Sequence, residues 1–372
     1  MEKFALGHAR GDDWRAVGAA CARQLGPLSG DANLGFLYFS ERFGGDARPI
    51  VEFFKAETGI VDWVGTSGHG ILGGAQEYYD EPAIAAMVGA FPRDSYHLFR
   101  ADHGDFDGFR RRHEAWLKRS DTHFGVVHAD PRTPNLDSLL PRFVEATASY
   151  LVGGLTSSSG SYPQIAESVF DECPFSGVLF AEDVEVVTGL TQGCTPLGPA
   201  HTVTEARGNV AITLDDRPAL DVLKADVGEL LARDLKRIGG YIYVAFPVAG
   251  SDRGDYVVRN LIGIDPARSL VGIAARLELG QRLMFCRRDA ASATEDLRRM
   301  LADIKRRARR PARGAVYYSC VARGPNMFGA DSGETRAIRD VFGDIPMVGF
   351  FCNGEISHDR LYGYTGVLSL FL

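Results

Sequence analysis

The sequence has no two cysteines separated by two residues, although it contains six cysteines. This absence argues against a structural zinc site, and the scattered positions argue against a small disulfide scaffold. No apolar run approaches the roughly 18 residues of a membrane-spanning helix, and the first residues lack the apolar core of a secretory signal. We therefore expect a cytoplasmic protein with reduced thiols and no membrane insertion.

An excess of basic residues is also missing. The net charge is −7 and the pI is about 5.8, so no global positive field attracts nucleic acid or an anionic membrane. The glycine-rich segment GTSGHG, residues 65–70, matches neither GxGxxG nor the GK[ST] ending of a Walker A motif. We therefore expect no nucleic-acid partner and do not expect a dinucleotide site.

The composition is that of a soluble globular protein. The chain has 372 residues, of which 45% are hydrophobic and 24% are charged. This length exceeds one ordinary core and suits two domains or one large repeated architecture.

The last quarter of the chain contains a pattern that organises the whole. Apolar runs predict strands at Gly314–Cys320 and Met347–Phe351, and helical spacing predicts a helix at Glu334–Phe342. A short polar segment, Cys352–Glu355, precedes a closing apolar run at Tyr364–Phe371. The order is strand, helix, strand, polar elbow, strand.

The same order occurs twice more. In the first copy the elements are Leu34–Ser40, Pro49–Ala56, Val61–Thr66, the elbow Ser67–Gly70 and Ile84–Phe91. In the second copy they are Phe124–Ala129, a helix from Leu136 to Val144, Tyr150–Leu155, the elbow Thr156–Gly160 and Gly177–Ala181. We take the marker glycines to be Gly35 and Gly65, Gly125 and Gly154, and Gly314 and Gly349. The prediction is an α/β fold of repeated units that form mixed sheets with flanking helices.

A different region separates the second and third copies. Short strands are predicted at Val184–Thr191, His201–Ala206 and Asn209–Leu214, in the manner of an antiparallel layer. A helical pattern follows over Pro218–Ile238. We place a domain boundary near residue 215, which gives domains 1–215 and 216–372.

Beyond this boundary, strands are predicted at Tyr241–Val248 and Tyr256–Ile264. Ser292 and Glu295 have the spacing of a capping box, which predicts a helix that runs to about Arg309.

The elbows are the candidate binding site. A strand that ends in small polar residues and glycine lets backbone N–H groups and hydroxyls approach a ligand. Three such elbows in equivalent positions are expected to line one polar pocket, although tight-turn geometry alone also favours these residue types. The elbow residues expected to line it are Thr66, Ser67, His69, Ser157, Ser158, Asn353 and Glu355.

Several segments resemble the FIST family. The resemblance is carried by VGTSGHGI, VGGLTSSSG, GAVYYSC and VGFFCNGEISHDRLYGYTGVLSLF, and it extends from about Leu34 to the end of the chain. It implies a FIST N-terminal domain, a FIST C-terminal domain and a sensory role in intracellular signalling through a small ligand, with amino acids proposed. Bacterial members of the family are often joined to signalling modules such as histidine kinases. This sequence shows no kinase, cyclase, coiled-coil or F-box segment, so we expect output through a separate partner such as a histidine kinase. The sequence leaves open whether the protein forms a homodimer.

Two side chains suit an amino-acid ligand in particular. Arg323 would hold a carboxylate, and Glu355 would meet an ammonium group. As single residues, both are more typical of surface charges or local salt bridges.

Two alternatives to this non-enzymatic sensor remain open. Cys352 lies close in sequence to Glu355 and His358, which are the residue types of a thiol nucleophile and its base. The resemblance also implies a haem-binding nitric oxide sensor that acts on a kinase. No CxxCH motif is present, so haem would be held non-covalently. Its candidate axial ligands are His69, His128, His201 and His358.

Overall fold

The structure is a computed structural model that describes residues 3–101, 104–228, 240–248 and 255–372. The chain forms two compact units. The first joins Met1–Thr191 to Leu297–Leu372, and the second is Gln192–Asp296. All three predicted copies therefore lie in the first unit, and the domain boundary near residue 215 stays a prediction.

The described part of the chain contains helices and strands that alternate in the first unit. The helices are α1 (Trp14–Leu25), α2 (Ala47–Thr58), α3 (Phe106–Arg112), α4 (Glu114–Leu117), α5 (Leu136–Thr147), α6 (Ala219–Val227), α7 (Ala290–Arg307), α8 (Pro325–Phe328) and α9 (Gly333–Phe342), with a 3-10 helix at Glu41–Asp46.

The strands of the first half are β1 (Ala5–Arg10), β2 (Leu34–Ser40), β3 (Asp62–Gly68), β4 (Gly70–Gly73), β5 (Gln76–Tyr79), β6 (Ala83–Gly89), β7 (Tyr96–Ala101), β8 (His123–Ala129), β9 (Ser149–Leu155), β10 (Gln164–Ala166), β11 (Ser168–Phe170), β12 (Phe175–Phe180) and β13 (Val186–Thr191). Those of the second half are β14 (Cys194–Pro196), β15 (His201–Arg207), β16 (Val210–Leu214), β17 (Arg217–Pro218), β18 (Ile242–Pro247), β19 (Tyr256–Asp265), β20 (Leu270–Ile273), β21 (Arg282–Arg288), β22 (Gly314–Cys320), β23 (Met347–Cys352), β24 (Glu355–Ser357), β25 (Arg360–Tyr362) and β26 (Gly366–Phe371).

Three six-stranded sheets of one plan make up the described first unit. Their strand orders are β1-β6-β2-β3-β10-β11, β25-β24-β9-β8-β12-β7 and β13-β26-β22-β23-β4-β5. Each contains one parallel pair, namely β2 with β3, β8 with β9, or β22 with β23, because a helix connects the two strands. The predicted repeat and its α/β class are confirmed.

Each sheet is completed by a hairpin from another copy. The hairpin β4–β5 follows β3 along the chain but pairs with β23 of the third copy. The hairpin β10–β11 follows β9 and pairs with β3, and β24–β25 follows β23 and pairs with β9. An elbow is therefore the point at which the chain leaves one sheet and enters the next.

The strand register defines the equivalent glycines. In each parallel pair one glycine lies so close to the neighbouring strand that an added Cβ would be 1.7 to 1.8 Å from a carbonyl oxygen. The facing residues are Leu37 and Gly65, Val127 and Gly153, and Tyr317 and Gly349. The sequence comparison took Gly154 as the second marker. The register corrects this to Gly153, because Gly154 faces His128.

The three sheets enclose one hydrophobic core. Tyr38, Val152 and Phe350, one from each sheet, belong to this central cluster. Side chains on the opposite faces pack against helices. Trp63 of β3 lies with residues of α1 and α2, and Leu151 of β9 lies with Phe143 of α5. Alternation along the strands thus fills two layers of core on every sheet.

The second unit is an antiparallel sheet that closes on itself. Its described strands run in the order β14-β21-β15-β16-β20-β19-β18, and β18 also pairs with β21. Helix α6 packs into the core of this closed sheet through Leu220 and Leu223. The predicted helix Pro218–Ile238 is present as Ala219–Val227, and residues 229–239 lie outside the described residues.

The cap of α7 differs from the predicted one. The helix begins at Ala290, before Ser292. Asp289 accepts hydrogen bonds from the backbone N–H of Ser292 at 2.8 Å and from its hydroxyl at 2.9 Å. Asp289 caps this helix because its carboxylate reaches the unpaired N–H groups of the first turn.

Candidate functional site

The three elbows meet at the carboxyl ends of the parallel strand pairs. The backbone N–H of Leu155 donates to the carbonyl of Gly354 at 2.8 Å, and that of Asn353 donates to the carbonyl of Leu155 at 3.1 Å. These bonds join the second elbow to the third. Carboxyl ends of parallel strands are the usual place for ligands in α/β sheets.

Side chains join the first elbow to the other two. The hydroxyls of Thr66 and Thr156 lie 2.7 Å apart. The Ser157 hydroxyl accepts from the backbone N–H of His69 at 2.9 Å and donates to the carbonyl of Phe351. The expected convergence of the elbows is present, but these polar groups are satisfied by one another.

Exposure divides the eight predicted site residues into two sets. Thr66, Ser67, Ser157, Arg323 and Glu355 are buried. The remaining three, His69, Ser158 and Asn353, reach solvent.

Ser67 lies apart from the rest of the first elbow. It is paired with Phe39, whose side chain belongs to the outer core with α1 and α2, whereas Thr66 is paired with Tyr38 of the central core. Ser67 therefore faces the helices rather than the junction. Its hydroxyl is buried without a hydrogen-bond partner.

The exposed part of the junction is an acidic cluster around His69. Its Nδ1 lies 2.9 Å from the Glu41 carboxylate, and its Nε2 lies 2.6 Å from that of Asp80. Glu41 also accepts from the backbone N–H of Ser159 at 2.6 Å. Glu41 and Asp80 were missed in the sequence because neither belongs to an elbow.

Arg323 is at the centre of a buried polar network. Its Nε and Nη2 lie 2.7 and 2.6 Å from one oxygen of Glu334, and both side chains are 1% exposed. Tyr317 and Ser319 donate to the same carboxylate at 2.5 and 2.8 Å. The guanidinium therefore already holds a carboxylate of this chain.

A second carboxyl, Glu77, reaches this network from β5. Its Oε1 accepts from the backbone N–H groups of Glu334 and Thr335 at 3.1 and 3.0 Å, which caps α9. Burial and the neighbouring Glu334 raise the pKa of Glu77 to about 7. Glu77 and Glu334 were missed in the sequence, since their proximity depends on the hairpin that crosses between copies.

A third carboxyl, Glu355, is fully buried beside the network. Its Oε2 accepts from the N–H and the hydroxyl of Thr365 at 3.0 and 2.8 Å, whereas its Oε1 has no hydrogen-bond partner. Burial raises the pKa of Glu355 to about 8, although Thr365 and the positive charge of Arg323 act in the opposite direction. The network thus holds three carboxyls and one guanidinium, and protonation of Glu355 removes one negative charge at neutral pH.

Comparison with known proteins shows the family to which this chain belongs. The model of the FIST N domain matches residues 33–217, and that of the FIST C domain matches residues 219–358. The chain belongs to the FIST family. FIST domains are sensory domains that bind small ligands in signal transduction.

Similar curated proteins carry no functional name. An uncharacterised protein of Mycobacterium tuberculosis is 29% identical over 377 residues, which cover 96% of both chains. An uncharacterised protein of Mycobacterium bovis is 28% identical over 325 residues, which cover 83% of this chain and 82% of that protein. The similarity therefore extends across both FIST domains.

The Cys352 thiol of this FIST protein does not have the properties of a nucleophile. Cys352 is 0% exposed, and burial and the nearby Glu355 raise its pKa well above the ordinary value. A reactive cysteine requires a lowered pKa and access to the substrate. His358 is exposed and stacks on Tyr150, with ring centroids 5.1 Å apart. The arrangement thus gives no support to thiol catalysis by Cys352.

The histidines named for haem do not fit an axial ligand. Both ring nitrogens of His69 and of His201 lie within 3 Å of carboxylates. His128 is 0% exposed and packs among the rings of Tyr38, Tyr318 and Phe350. His358 stacks on Tyr150, and its Nδ1 lies 3.3 Å from the Asp359 carboxylate. The surroundings of these four histidines thus give no support to a haem site.

The described residues lack two features. They contain no group of three or more His, Cys, Asp or Glu side chains arranged to hold a metal ion. None of their helices combines the length and apolarity needed to cross a membrane.

Proposed function

We propose that this protein is a sensor whose ligand is a small zwitterionic metabolite such as an amino acid, bound at the network of Arg323, Glu334 and Glu355. The main observation in support of the proposal is that three carboxyls, those of Glu77, Glu334 and Glu355, share one buried site with a single guanidinium, that of Arg323. A ligand ammonium group next to Glu355 would stabilise the ionised carboxylate and pair with its free Oε1. The exposed residues His69, Ser158 and Asn353 form the rim through which the ligand enters.

Binding and conformational change are one event at such a site. Arg323 and Glu355 are fully buried, so a ligand reaches them only when the part of the protein that covers them moves. A ligand carboxylate that binds Arg323 replaces Glu334, which lies in the first turn of α9. Release of Glu334 frees the amino end of α9 from the sheets. A ligand that favours the released state shifts the equilibrium between the two conformations.

The shifted conformation is the signal in this proposal. A separate signalling protein, with a histidine kinase as the first candidate, reads the position of α9. The surface of α9 that changes includes the exposed side chains of Arg336 and Asp340. We also propose that this signalling takes place in the cytoplasm.

Calorimetric titration with the twenty amino acids tests the ligand class. We expect at least one to bind, with an affinity that falls at least tenfold in Glu355→Gln and in Arg323→Lys. Each replacement keeps the approximate size of the side chain but removes the carboxylate or the planar donor pair. Glu52→Gln is the matched control, because Glu52 lies exposed on α2.

The outcome decides between a site and a structural network. Binding that persists unchanged in both variants would place the ligand elsewhere. If no amino acid binds the wild-type protein, the zwitterionic ligand class is wrong. Circular dichroism on each variant verifies that the fold is intact before the titration.

A further inference from the structure

A cleft of about 710 Å³ opens on the first unit, away from the elbows. It lies at the amino ends of β8 and β9, which begin at His123 and Ser149, whereas the elbows follow the carboxyl ends of the parallel strands. The side chains that define its chemistry are His123, Tyr150, Glu182, Glu185 and His358. None of these belongs to the network around Arg323.

His123 is one of the residues that line this cleft, and its ring contains a nitrogen without a hydrogen-bond partner. Its side chain is only 4% exposed, and its Nδ1 lies 3.0 Å from the carbonyl oxygen of Thr147. Because a carbonyl can only accept, Nδ1 carries the proton and Nε2 has a free lone pair. Nε2 is buried without a hydrogen-bond partner. Burial lowers the pKa of His123, so the ring is neutral at pH 7.

The charge around this acceptor is negative. Glu182 and Glu185 line the cleft, and no lysine or arginine is among its described lining residues. Arg310 approaches Glu185 at 3.6 Å, but both side chains are largely exposed and the pair is weak. Arg307 donates to the backbone carbonyl of Thr188 and is also paired with Asp303. The cleft therefore attracts cations and repels carboxylates.

An aromatic ring completes the lining. Tyr150 is 40% exposed, and its ring stacks on His358 with an interplanar angle of 23°. The hydroxyls of Tyr150 and Ser357 lie 3.1 Å apart, which fixes the position of the ring. The face of a tyrosine ring attracts an ammonium group, and its apolar body packs against an alkyl chain.

We infer that this cleft is a second binding site, which takes a small primary ammonium ion without a carboxylate. The ammonium group is attracted by Glu182 and Glu185, and it donates to Nε2 of His123 after a rotation of the ring turns this buried atom toward the cleft. The alkyl chain lies against Tyr150 and the partly buried side chains of Val144 and Val184. Because the glutamates repel a carboxylate, zwitterionic amino acids are excluded here. The inference therefore stands independently of the function proposed above.

Calorimetric titration of the full chain with n-butylammonium tests this site. We expect saturable binding of n-butylammonium and none of n-butyrate, which reverses the charge. Tetramethylammonium keeps the charge but lacks N–H donors, so we expect it to bind at least tenfold more weakly. Glu182→Gln and His123→Phe should each weaken n-butylammonium binding by tenfold or more, because one removes a charge and the other the acceptor.

Two controls make the test specific. Glu52→Gln alters an exposed carboxylate on α2 and should leave the affinity unchanged. Glu145→Gln alters an exposed carboxylate of α5 that does not line the cleft and should also leave it unchanged, which separates the cleft glutamates from general surface charge. If His123→Phe fails to fold, Glu182→Gln and the comparison with tetramethylammonium decide the result. The inference is wrong if n-butylammonium does not bind, or if it binds Glu182→Gln as tightly as the wild type.

Discussion

The phenol oxygens of Tyr38 and Tyr318 lie 2.9 Å apart in the central core, although the residues are 280 positions apart in sequence. Nε2 of His128 lies 3.0 Å from the same Tyr38 oxygen. The three residues occupy the same register position in the three copies. Each directly follows the residue that faces a closely packed glycine, namely Gly65, Gly153 or Gly349. Two hydrogen bonds, both made by Tyr38, thus link all three sheets inside an apolar core.

Removal of the Tyr38 hydroxyl should cost more stability than removal of the Tyr318 hydroxyl. Tyr38→Phe leaves two buried polar groups unpaired, on His128 and Tyr318, and we expect it to destabilise the fold by about 1 to 3 kcal/mol. Tyr318→Phe leaves the bond between Tyr38 and His128 in place and should cost less. Urea unfolding of both variants measures the difference, and equal losses would contradict this account of the triad.

The glycines that face a neighbouring carbonyl should not tolerate a side chain. An alanine at Gly349 would place Cβ 1.7 Å from the oxygen of Tyr317, so the parallel strands must separate. We expect Gly349→Ala and Gly65→Ala to abolish folding or lower the melting temperature strongly. Gly45→Ala is the matched control, because no atom lies within 4 Å of an added Cβ. A melting temperature equal to that of the control would refute the assigned register.

The buried carboxyls should make stability fall as the pH rises. The pKa of Glu355 is raised to about 8 and that of Glu77 to about 7, from ordinary values near 4.5. Between pH 4.5 and 8 the folded protein binds more protons than the unfolded chain. The free energy of unfolding therefore decreases with pH in this window, by at most about 1.4 kcal/mol per pH unit for each carboxyl.

Glu355→Gln removes one of these titrations. Its free energy of unfolding should vary less between pH 5 and 8 than that of the wild type, as measured by urea titration at several pH values. Glu52→Gln should retain the wild-type slope, since Glu52 is exposed. A slope in Glu355→Gln identical to that of the wild type would show that Glu355 does not stay protonated in the fold.

His201 in the second unit should also contribute less to stability as the pH rises, because its ring then loses a positive charge. Its ring nitrogens lie 2.6 and 2.9 Å from Asp215 and Asp226. Burial alone lowers the pKa of His201, but the hydrogen bonds to the two carboxylates raise it above 6.5 overall. The stabilisation from this ion pair is therefore complete below pH 6.5 and is lost as the pH rises through the folded-state pKa.

His201→Gln should thus lose more stability at pH 5.5 than at pH 9. Chemical unfolding of the full chain, followed at both pH values, measures the two losses. Glu205→Gln alters an exposed residue of the same strand, β15, and serves as the control. A loss that is equal at both pH values would mean that the pair contributes by packing rather than by charge.

Much of the first unit could be predicted from the sequence, because its buried strands are continuous apolar runs. Leu34–Ser40 and Gly314–Cys320 have the predicted bounds, and the strand Met347–Cys352 is one residue longer than the predicted apolar run. Both faces of these strands are covered, by the central core on one side and by helices on the other. The apolar composition of each strand therefore identifies it without reference to its neighbours.

The exchanged hairpins could not be predicted in this way. Strands β4 and β10 are short, and their pairing partners lie in other copies. Likewise, Arg323 and Glu355 were selected by charge and position, but Glu77 was missed because it meets Thr335 across 258 residues. Local sequence identifies residues of suitable chemistry, whereas the distance between them depends on the sheet exchange.

The exchange of hairpins also has a consequence for synthesis on the ribosome. The sheet built on β8 and β9 lacks its edge hairpin until residues Glu355–Tyr362 have left the exit tunnel. The hairpin Gly70–Tyr79 is made early, yet its partner strand is Met347–Cys352. The nascent first two copies must therefore wait with one unpaired sheet edge and one unpaired hairpin, and the first unit becomes complete only after strands β23 to β26 have been made.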